Sequence, residues 1–452
     1  MNLEYTGSLS DHDALREAFV AGGLRTEAAA RKARLFAKVA GDGFSGDCAF
    51  FVPGRIEVLG KHTDYAGGCS MVAAAEQGFC LVARPREDGR VEVIDAGRGE
   101  SIDFEIGPTL VPRGGHWSNY PMTVARRIAR NFPEARRGAT IRFASDLPAA
   151  AGMSSSTAMI VGVFLALAEA NQLAPPADCP TLFTDFTKLA GYLGTVENGQ
   201  SFGSLVGDVG VGTFGGSEDH TAILCCRANH ISRYAYCPVQ FEGATALPEG
   251  LLFAIATSGV AAEKTAAARE QYNRASRLAS ALARLWQAET GRDEPHLAAV
   301  LASSPDAGRR LQRLVAEADD VEFSASALTA RLEHFVVENE ELIPACDAAL
   351  RQGDLHRFGQ LVDRSQQAAE RLLGNQIPET SFLAASAREH HALAASAFGA
   401  GFGGSVWALV ETAGADTLLD RWADAYRRQF PQHASASSFF LSGAGPAVLR
   451  VC

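Results

Sequence analysis

A chain of 452 residues, 47% hydrophobic and 21% charged, holds enough apolar side chains for more than one core, because single domains usually stop growing near ~250 residues. Its net charge of −11 argues against a nucleic-acid partner, since affinity for a polyanion depends on Lys and Arg. The first residues have no basic-then-apolar layout, and the longest apolar run, Met159 to Ala168, is too short to span a bilayer. We therefore expect a cytoplasmic protein with no membrane partner.

The cysteine pattern indicates neither a disulfide framework nor a zinc site. The nine cysteines are odd in number and none has CxxC spacing. Reduced thiols that behave as small buried hydrophobes are the expected state, which agrees with a cytoplasmic location.

The first half of the chain predicts strands followed by a strand, loop and helix unit. From Cys48 to about Ile94, clusters of β-branched and aromatic residues alternate with Gly and Pro turns, which is typical of strands and hairpins. ATIRFASDL (139–147) then predicts a strand, LPAAAGMSSS (147–156) a loop, and TAMIVGVFLALAEANQL (157–173) a buried helix.

The second half has a different composition, rich in Ala, Leu, Arg and Glu at helical spacing over residues 261–350. The change falls near Leu247 to Leu251, so we predict domains of residues 1–247 and 248–452. Further on, the pattern predicts a helix, a loop FGAGFGG (398–404), a strand SVWALVE and a helix LLDRWADAYRRQF. Strand-like SSFFLS and AVLRV follow, and the whole C-terminal part is typical of an α+β layer.

The loop at Leu147 to Ser156 could bind phosphate. It precedes a helix, so its N–H groups and the helix dipole favour an anion, while its serine hydroxyls could reach phosphate or magnesium. The alternative is an ordinary helix N-cap, because Ser is a preferred capping residue.

The segment PGRIEVLGKHTDYAGG (53–68) concentrates polar side chains beside an apolar strand. A sugar site would use them, because a carboxylate accepts from neighbouring hydroxyls, His and Tyr make directional hydrogen bonds, and Arg supplies a fixed cation. The alternative is a polar β-turn. The residues concerned are Arg55, Lys61, His62, Asp64 and Tyr65.

A third candidate is Asp219, which follows a run of glycines in GGSEDH (215–220) and could act as a base. The alternative is an Asp in an exposed glycine-rich loop. The glycines of FGAGFGG likewise permit either close backbone approach to a ligand or a simple connection between a helix and a strand.

In their order and spacing, these segments resemble the galactokinase branch of the GHMP kinase family, over roughly residues 48 to 410. The segment 53–68 is similar to the galactokinase signature, SDLPAAAGMSSSTA (145–158) to the ATP-phosphate loop, and FGAGFGGSVWALV (398–410) to the third family motif. The resemblance implies an α+β fold of two domains, with an N-terminal ribosomal-protein-like β-α-β domain and a C-terminal ferredoxin-like α+β domain. It places the active site in the cleft between them.

Carried over residue by residue, the resemblance implies Asp219 as catalytic carboxylate, with Arg55 beside it to stabilise the transferring phosphoryl. It also implies ATP and Mg²⁺ as cofactors. The implied sugar-binding residues are Lys61, His62, Asp64, Tyr65, Gly216 and Tyr272. The implied ATP-binding residues are Trp117, Ala151, Gly152, Met153, Ser154, Ser155 and Ser156, and the implied metal ligands are Ser155 and Glu197.

Lys61 departs from the family, whose signature has a glutamate there. A cation at this place would suit a carboxylate on the substrate, as in a uronic acid. The alternative is that Lys61 turns away to pair with Glu57, itself in place of the family's asparagine, and leaves galactose recognition intact.

The resulting expectation is an ATP-dependent sugar 1-kinase that acts on galactose or a galactose-like sugar as a monomer or weak dimer. Three alternatives are a uronic-acid 1-kinase, a galactokinase-like sensor of sugar and ATP, and another GHMP branch acting on mevalonate or homoserine. HTDYAGG disfavours the last of these, because it belongs to the sugar-binding branch.

Overall fold

The computed structural model describes residues 3, 5, 7–41, 48–148, 151–260, 266–318 and 322–451, with residues 266–269 described by their backbone alone. The strands are β1 (Cys48–Leu59), β2 (Cys69–Pro85), β3 (Arg90–Asp95), β4 (Glu100–Glu105), β5 (Ala139–Ser145), β6 (His230–Ala235), β7 (Gln240–Ala246), β8 (Leu251–Thr257), β9 (Ala394–Ala397), β10 (Ser405–Glu411), β11 (Ser438–Ser442), β12 (Ala444–Gly445) and β13 (Leu449–Arg450).

The helices are α1 (His12–Ala21), α2 (Thr26–Ala40), α3 (Asn119–Asn131), α4 (Ser155–Asn171), α5 (Phe186–Asn198), α6 (Glu218–Cys225), α7 (Ala266–Thr290), α8 (Leu297–Ala302), α9 (Ala307–Glu317), α10 (Ala325–Val336), α11 (Ile343–Arg351), α12 (Leu355–Ala368), α13 (Pro378–Glu389) and α14 (Ala415–Gln429). Short 3-10 turns lie at Asp64–Ala66 and Pro431–His433, and π-helical segments at Val337–Leu342 and Ala369–Leu373. Among the described helices, none is both long enough and apolar enough to cross a membrane.

The first sheet has the strand order β13-β1-β2-β5-β3-β4, with β6 and β12 also paired to β2 and with β7 paired to β6. The side chains of β1 alternate between two cores, which explains why the whole strand is buried. Phe50 and Val52 join the core that contains α4, whereas Phe51 packs edge-on against Phe19 of α1.

The irregular ladder between β1 and β2 brings the loop before α4 close to β1. The register shifts between Pro53 and Arg55. A Cβ on the intervening Gly54 would lie 2.7 Å from the Met153 carbonyl oxygen, so only glycine permits this approach. The Arg55 N–H donates to that same carbonyl at 3.2 Å, and the loop is therefore tied to the strand that carries Arg55.

The second sheet is antiparallel, with the order β11-β8-β10-β9, and α13 and α14 cover one face of it. The chain then returns, because β12 pairs with β2 and β13 with β1 in the first sheet. The predicted division between residues 247 and 248 remains a proposal.

A third group of apolar side chains lies among α7, α8, α9 and α10 and includes Trp286 and Phe335. Ala66, from the loop between β1 and β2, is buried in the same cluster, and Tyr65 packs against it. This helical layer therefore supports a loop that belongs in sequence to the first sheet.

The structure confirms the predicted α+β class, the strand at 139–145, the buried helix after the serines and the C-terminal helix and strands. The prediction that a helix leads directly into FGAGFGG was wrong, because strand β9 lies between α13 and that loop. Its sequence, AASA, has weak strand propensity and is held by pairing with β10.

Candidate active site

A cavity lies where the loop between β1 and β2 meets the start of α6 and the turn after β9. It brings Arg55 and Asp219 together with five other predicted site residues, namely His62, Asp64, Glu197, Gly216 and Tyr272. These side chains come from distant parts of the chain, so their convergence is a property of the fold. Of the predicted residues, Lys61, Tyr65, Trp117 and those of the phosphate loop are not in the described lining.

Asp219 is oriented by a buried cation. It lies in the first turn of α6, where the helix dipole favours an anion. Its Oδ1 accepts a hydrogen bond from Arg55 Nε at 2.7 Å, and its Oδ2 lies 3.5 Å from the Thr157 hydroxyl. The Asp219 side chain is 32% exposed while Arg55 is buried, so one edge of the carboxylate is open to a ligand.

Two further carboxyl groups lie beside Arg55, and neither was predicted to belong to the site. Glu57 lies 3.7 Å from Nη2 and Glu218 lies 3.5 Å from Nε. Burial alone would lower the pKa of Arg55, but the neighbouring carboxylates outweigh burial and raise it. Burial and the charge of Glu57 raise the pKa of Glu218 well above its usual value.

The position of Glu218 next to Asp219 in GGSEDH was the available signal for that residue. Glu57 is two positions from Arg55 on the same strand, so both side chains leave the same face of β1. That alternation could have placed Glu57 in the site from the sequence.

Asp64 is held by two backbone donors at the edge of the cavity. Its Oδ1 accepts from the Tyr65 N–H at 2.8 Å and its Oδ2 from the Glu218 N–H at 3.1 Å. A Cβ on Gly216 would lie 2.4 Å from Oδ2, so this carboxyl requires glycine beside it. Burial raises the pKa of Asp64 to about 6, although the two N–H donors act in the opposite direction.

His62 lies between two tyrosines. Its Nδ1 is 2.7 Å from the Tyr65 hydroxyl, and its ring centroid is 5.0 Å from that of Tyr272. Burial, followed by the charge of Arg331, lowers the pKa of His62 to about 3. His62 is therefore a neutral imidazole at physiological pH, able to exchange directional hydrogen bonds with a neutral ligand.

Lys61 does not take either predicted role. It is completely buried and its Nζ donates to the Ser396 hydroxyl of β9 at 2.9 Å. In the part of the chain that the structure describes, it forms no ion pair with Glu57, and it is not among the residues that line the cavity. The uronic-acid alternative, which required Lys61 to face the substrate, therefore has no support.

The predicted phosphate loop joins β5 to α4, and its residues 149–150 lie outside the described residues. Its carbonyl groups are held from both sheets, because Gly152 O accepts from Arg55 Nη1 at 3.3 Å and Ala151 O accepts from the Ser405 hydroxyl of β10 at 2.6 Å. The Met153 side chain is buried. The loop is therefore anchored between the two sheets.

The three serines begin α4. Ser154 occupies the N-cap position with φ of 62° but makes no capping hydrogen bond. Among the described residues, its buried Oγ has no hydrogen-bond partner, so the ordinary N-cap interpretation does not describe this side chain. Ser155 and Ser156 lie half-buried in the first turn. Trp117 lies elsewhere, with its ring 6.3 Å from that of Phe143 at the edge of the first core.

Glu197 and Asp219 both lie close to the hydroxyl of Thr157. The Thr157 hydroxyl donates to Glu197 Oε2 at 3.0 Å, and His220 Nε2 lies 3.3 Å from the same oxygen. Among the described residues, no group of three or more His, Cys, Asp or Glu is arranged as a metal site. Mg²⁺ commonly takes only one or two carboxylates and completes its shell with water and phosphates, and Glu197 suits that chemistry.

Three family models match the chain. The galactokinase galactose-binding signature matches residues 34–85, the GHMP kinase N-terminal domain residues 119–216, and the GHMP kinase C-terminal domain residues 347–428. The first includes Arg55 and the loop after β1, the second includes the phosphate loop and Glu197, and the third includes β9 and β10.

Curated galactokinases are similar over most of the chain. The one from Actinobacillus pleuropneumoniae is 25% identical over 392 residues, covering 86% of this chain and 91% of that protein. The one from Exiguobacterium sibiricum is 28% identical over 418 residues, covering 90% and 95%.

Among solved structures, Lactococcus lactis galactokinase in complex with galactose has a TM-score of 0.73 at 23% identity, over 91% of this chain and 97% of that one. Methanococcus jannaschii mevalonate kinase has a TM-score of 0.51 at 12% identity, over 87% and 97%, and shares the fold. The signature over residues 34–85 distinguishes the sugar-binding branch. The chain is a phosphotransferase of the GHMP kinase family and belongs to its galactokinase branch.

Proposed function

We propose that the protein transfers the γ-phosphoryl group of ATP to the anomeric hydroxyl of galactose and yields the sugar 1-phosphate and ADP. The observation that carries this proposal is the Arg55–Asp219 pair at 2.7 Å, which lines a cavity of polar side chains and is tied through Arg55 to the phosphate loop. Galactokinase relatives with this overall length support galactose as the acceptor.

In the proposed reaction, Asp219 accepts a hydrogen bond from the anomeric hydroxyl and takes its proton as the oxygen attacks phosphorus. Arg55 keeps Asp219 in place and stabilises the negative charge on the transferring group. Phosphoryl transfer needs positioning and charge neutralisation more than covalent catalysis, so this pair supplies the proton acceptor and one of the positive charges.

The remaining predicted residues divide between the two substrates. His62, Asp64 and Tyr272 would hold sugar hydroxyls, with Gly216 allowing Asp64 its position and Tyr65 holding His62. For ATP, the N–H groups of Ala151, Gly152 and Met153 and the hydroxyls of Ser154, Ser155 and Ser156 would hold the phosphates, while Trp117 would lie near the nucleotide.

Glu197 and Ser155 would bind Mg²⁺, which would neutralise charge on the β- and γ-phosphates when bound. The domains proposed at 1–247 and 248–452 would then enclose the two substrates in their cleft.

The test is a coupled ADP-release assay with Mg-ATP, in which galactose, galacturonate and mevalonate are compared as acceptors. We expect turnover on galactose. Asp219→Asn should reduce kcat by roughly 10²–10⁴-fold while ATP binding is retained, because this is the usual contribution of a positioned acid–base group.

Asp88→Asn is the matched control, because Asp88 is an exposed aspartate that pairs with Arg86, and neither residue lines the cavity. It should have the activity of the wild type. Near-normal turnover in Asp219→Asn would contradict the catalytic role. Absence of turnover on every acceptor with ATP still bound would favour the sensor alternative.

A further inference from the structure

The π-helical segment Val337–Leu342 binds both ends of the loop between β1 and β2. Glu338 Oε1 accepts from the Gly60 N–H at 2.8 Å, and Asn339 Oδ1 accepts from the Cys69 N–H at 2.7 Å. Gly60 is the first residue after β1 and Cys69 is the first residue of β2, so the two donors bracket the loop, and their acceptors are adjacent in the chain. π-helical turns inside helices are frequent at functional sites. The segment therefore fixes the distance between the ends of the loop that carries His62 and Asp64.

Arg331, two turns earlier on α10, holds the middle of the same loop. Its Nη2 donates to the His62 carbonyl at 2.6 Å, and its Nε donates to the Ala275 carbonyl of α7 at 3.2 Å. Ala275 is one helical turn from Tyr272. One guanidinium therefore joins the two backbone segments that deliver His62 and Tyr272 to the cavity, where their rings lie 5.0 Å apart.

Arg331 is 1% exposed, and in the described ranges of the chain no carboxylate forms an ion pair with it. Burying a charge without a counter-ion is unfavourable for stability unless hydrogen bonds satisfy it. The carbonyls of His62 and Ala275 provide those bonds, and the Tyr65 ring lies 5.8 Å from the guanidinium. A methionine of similar length could not donate to these two carbonyls, so the guanidinium serves the geometry of the loop.

We propose that Arg331 is a positioning residue which, with Glu338 and Asn339, holds residues 60–68 in their sugar-binding conformation before the sugar arrives. The inference rests on the proposed function for the identity of the sugar, but the loop contacts themselves do not depend on it. A preformed loop reduces the ordering cost of binding.

The charge of Arg331 also acts on His62. Burial is the largest cause of the low pKa of His62 and Arg331 is the second, with Lys61 acting in the same direction. Tyr65, Tyr272 and His334 face the same region and are uncharged at neutral pH. Removing the guanidinium should therefore raise the pKa of His62, while burial, the larger cause, still keeps it below its usual value.

The experiment compares wild type with Arg331→Met and with Arg310→Met. Arg310 lies over the Trp286 ring of the same helical layer at 4.9 Å and does not contact the loop, so it controls for general loosening of that layer. The measurements are KM for galactose and for ATP at one pH above the pKa of Asp64, which is about 6, with melting temperature as a check on folding.

We expect KM for galactose to rise at least tenfold in Arg331→Met, while KM for ATP stays within twofold. Arg310→Met should leave both KM values unchanged. An equal change in both variants, or an unchanged galactose KM in folded Arg331→Met, would overturn the proposal. If Arg331→Met does not fold, Asn339→Ala should show the same separation with a smaller rise.

Hydrogen exchange of residues 60–69 in the free protein tests the positioning role of Arg331 independently of the proposed galactose kinase activity. The amides of Gly60 and Cys69 should lose at least tenfold protection in Arg331→Met but not in Arg310→Met. This holds even if wild type fails to phosphorylate galactose, an outcome that would refute only the proposed acceptor. Unchanged protection in Arg331→Met would refute the positioning role.

Discussion

Asp64 should make the stability of the free protein fall as pH rises. Its pKa is raised from an ordinary value of 3.8 to about 6 because the carboxyl is buried. Between these two values the folded state binds more protons than the unfolded state, so the free energy of unfolding decreases from about pH 4 to above pH 6 and then levels off. At ~1.4 kcal/mol per pKa unit, the difference between 3.8 and about 6 corresponds to roughly 3 kcal/mol.

The measurement is urea unfolding of wild type and Asp64→Asn, without ligands, from pH 4 to pH 8. Asparagine removes the titrating group but also replaces one acceptor of the two backbone bonds from Tyr65 and Glu218 by an NH₂ donor. That cost does not depend on pH and cancels in the slope. Because pH 4 already lies just above the unfolded-state pKa of 3.8, the free energy of unfolding of wild type minus that of the variant should fall by roughly 2–3 kcal/mol over this range.

Asp88→Asn is the control, because the pKa of Asp88 is shifted in the opposite direction from that of Asp64. The hydrogen bond from Arg86 lowers the pKa of the exposed Asp88 to about 2, so its contribution to stability is lost only as pH falls towards that value. The difference between wild type and Asp88→Asn should stay flat above pH 5. A flat or rising difference for Asp64→Asn would refute the argument that burial dominates at Asp64.

Two other substitutions test the geometry of the site. Gly216→Ala should raise KM for galactose at least tenfold and leave KM for ATP unchanged, because its Cβ would meet Asp64 Oδ2 at 2.4 Å. Steady-state kinetics, with melting temperature as a check on folding, measure this effect. An unchanged galactose KM would contradict it. Lys61→Glu should destabilise the fold by roughly 3–5 kcal/mol without creating activity on another sugar, since it buries an unpaired carboxylate near Glu338. Thermal unfolding alongside Lys61→Met tests this, and a stable Lys61→Glu enzyme with altered sugar choice would refute it.

The parts of the site that could be predicted from sequence are those in which one short segment contains both the functional side chains and the residues that fix its backbone conformation. The loop of residues 60–68 and the serines before α4 are of this kind, because glycines and a following helix constrain them locally. The Arg55–Asp219 contact is different. It joins β1 to α6 across the fold, and only the family resemblance indicated it before the structure did.

Both predicted roles of Lys61 assumed a side chain that reaches a charged partner, because lysine usually keeps its ammonium group in water. Its burial depends on Ser396, which lies in a strand that the sequence did not predict. The roles of Arg331 and Glu338 could not be predicted from sequence either. Both lie in ordinary-looking helical sequence, and their partners are backbone groups of a distant loop, so no pattern of residue types marks them.

The charges of the cavity argue for a neutral acceptor. Asp219, Glu57 and Glu218 all lie within 4 Å of a single guanidinium, that of Arg55. Burial and mutual repulsion already raise the pKa of Glu218, and a uronic acid would add one more carboxylate to this group. Sugar hydroxyls would instead donate to the carboxylates present, and a magnesium ion would relieve part of their repulsion. The preference for galactose over galacturonate would then come from the carboxyl groups around Arg55, with Lys61 excluded from the choice by its burial.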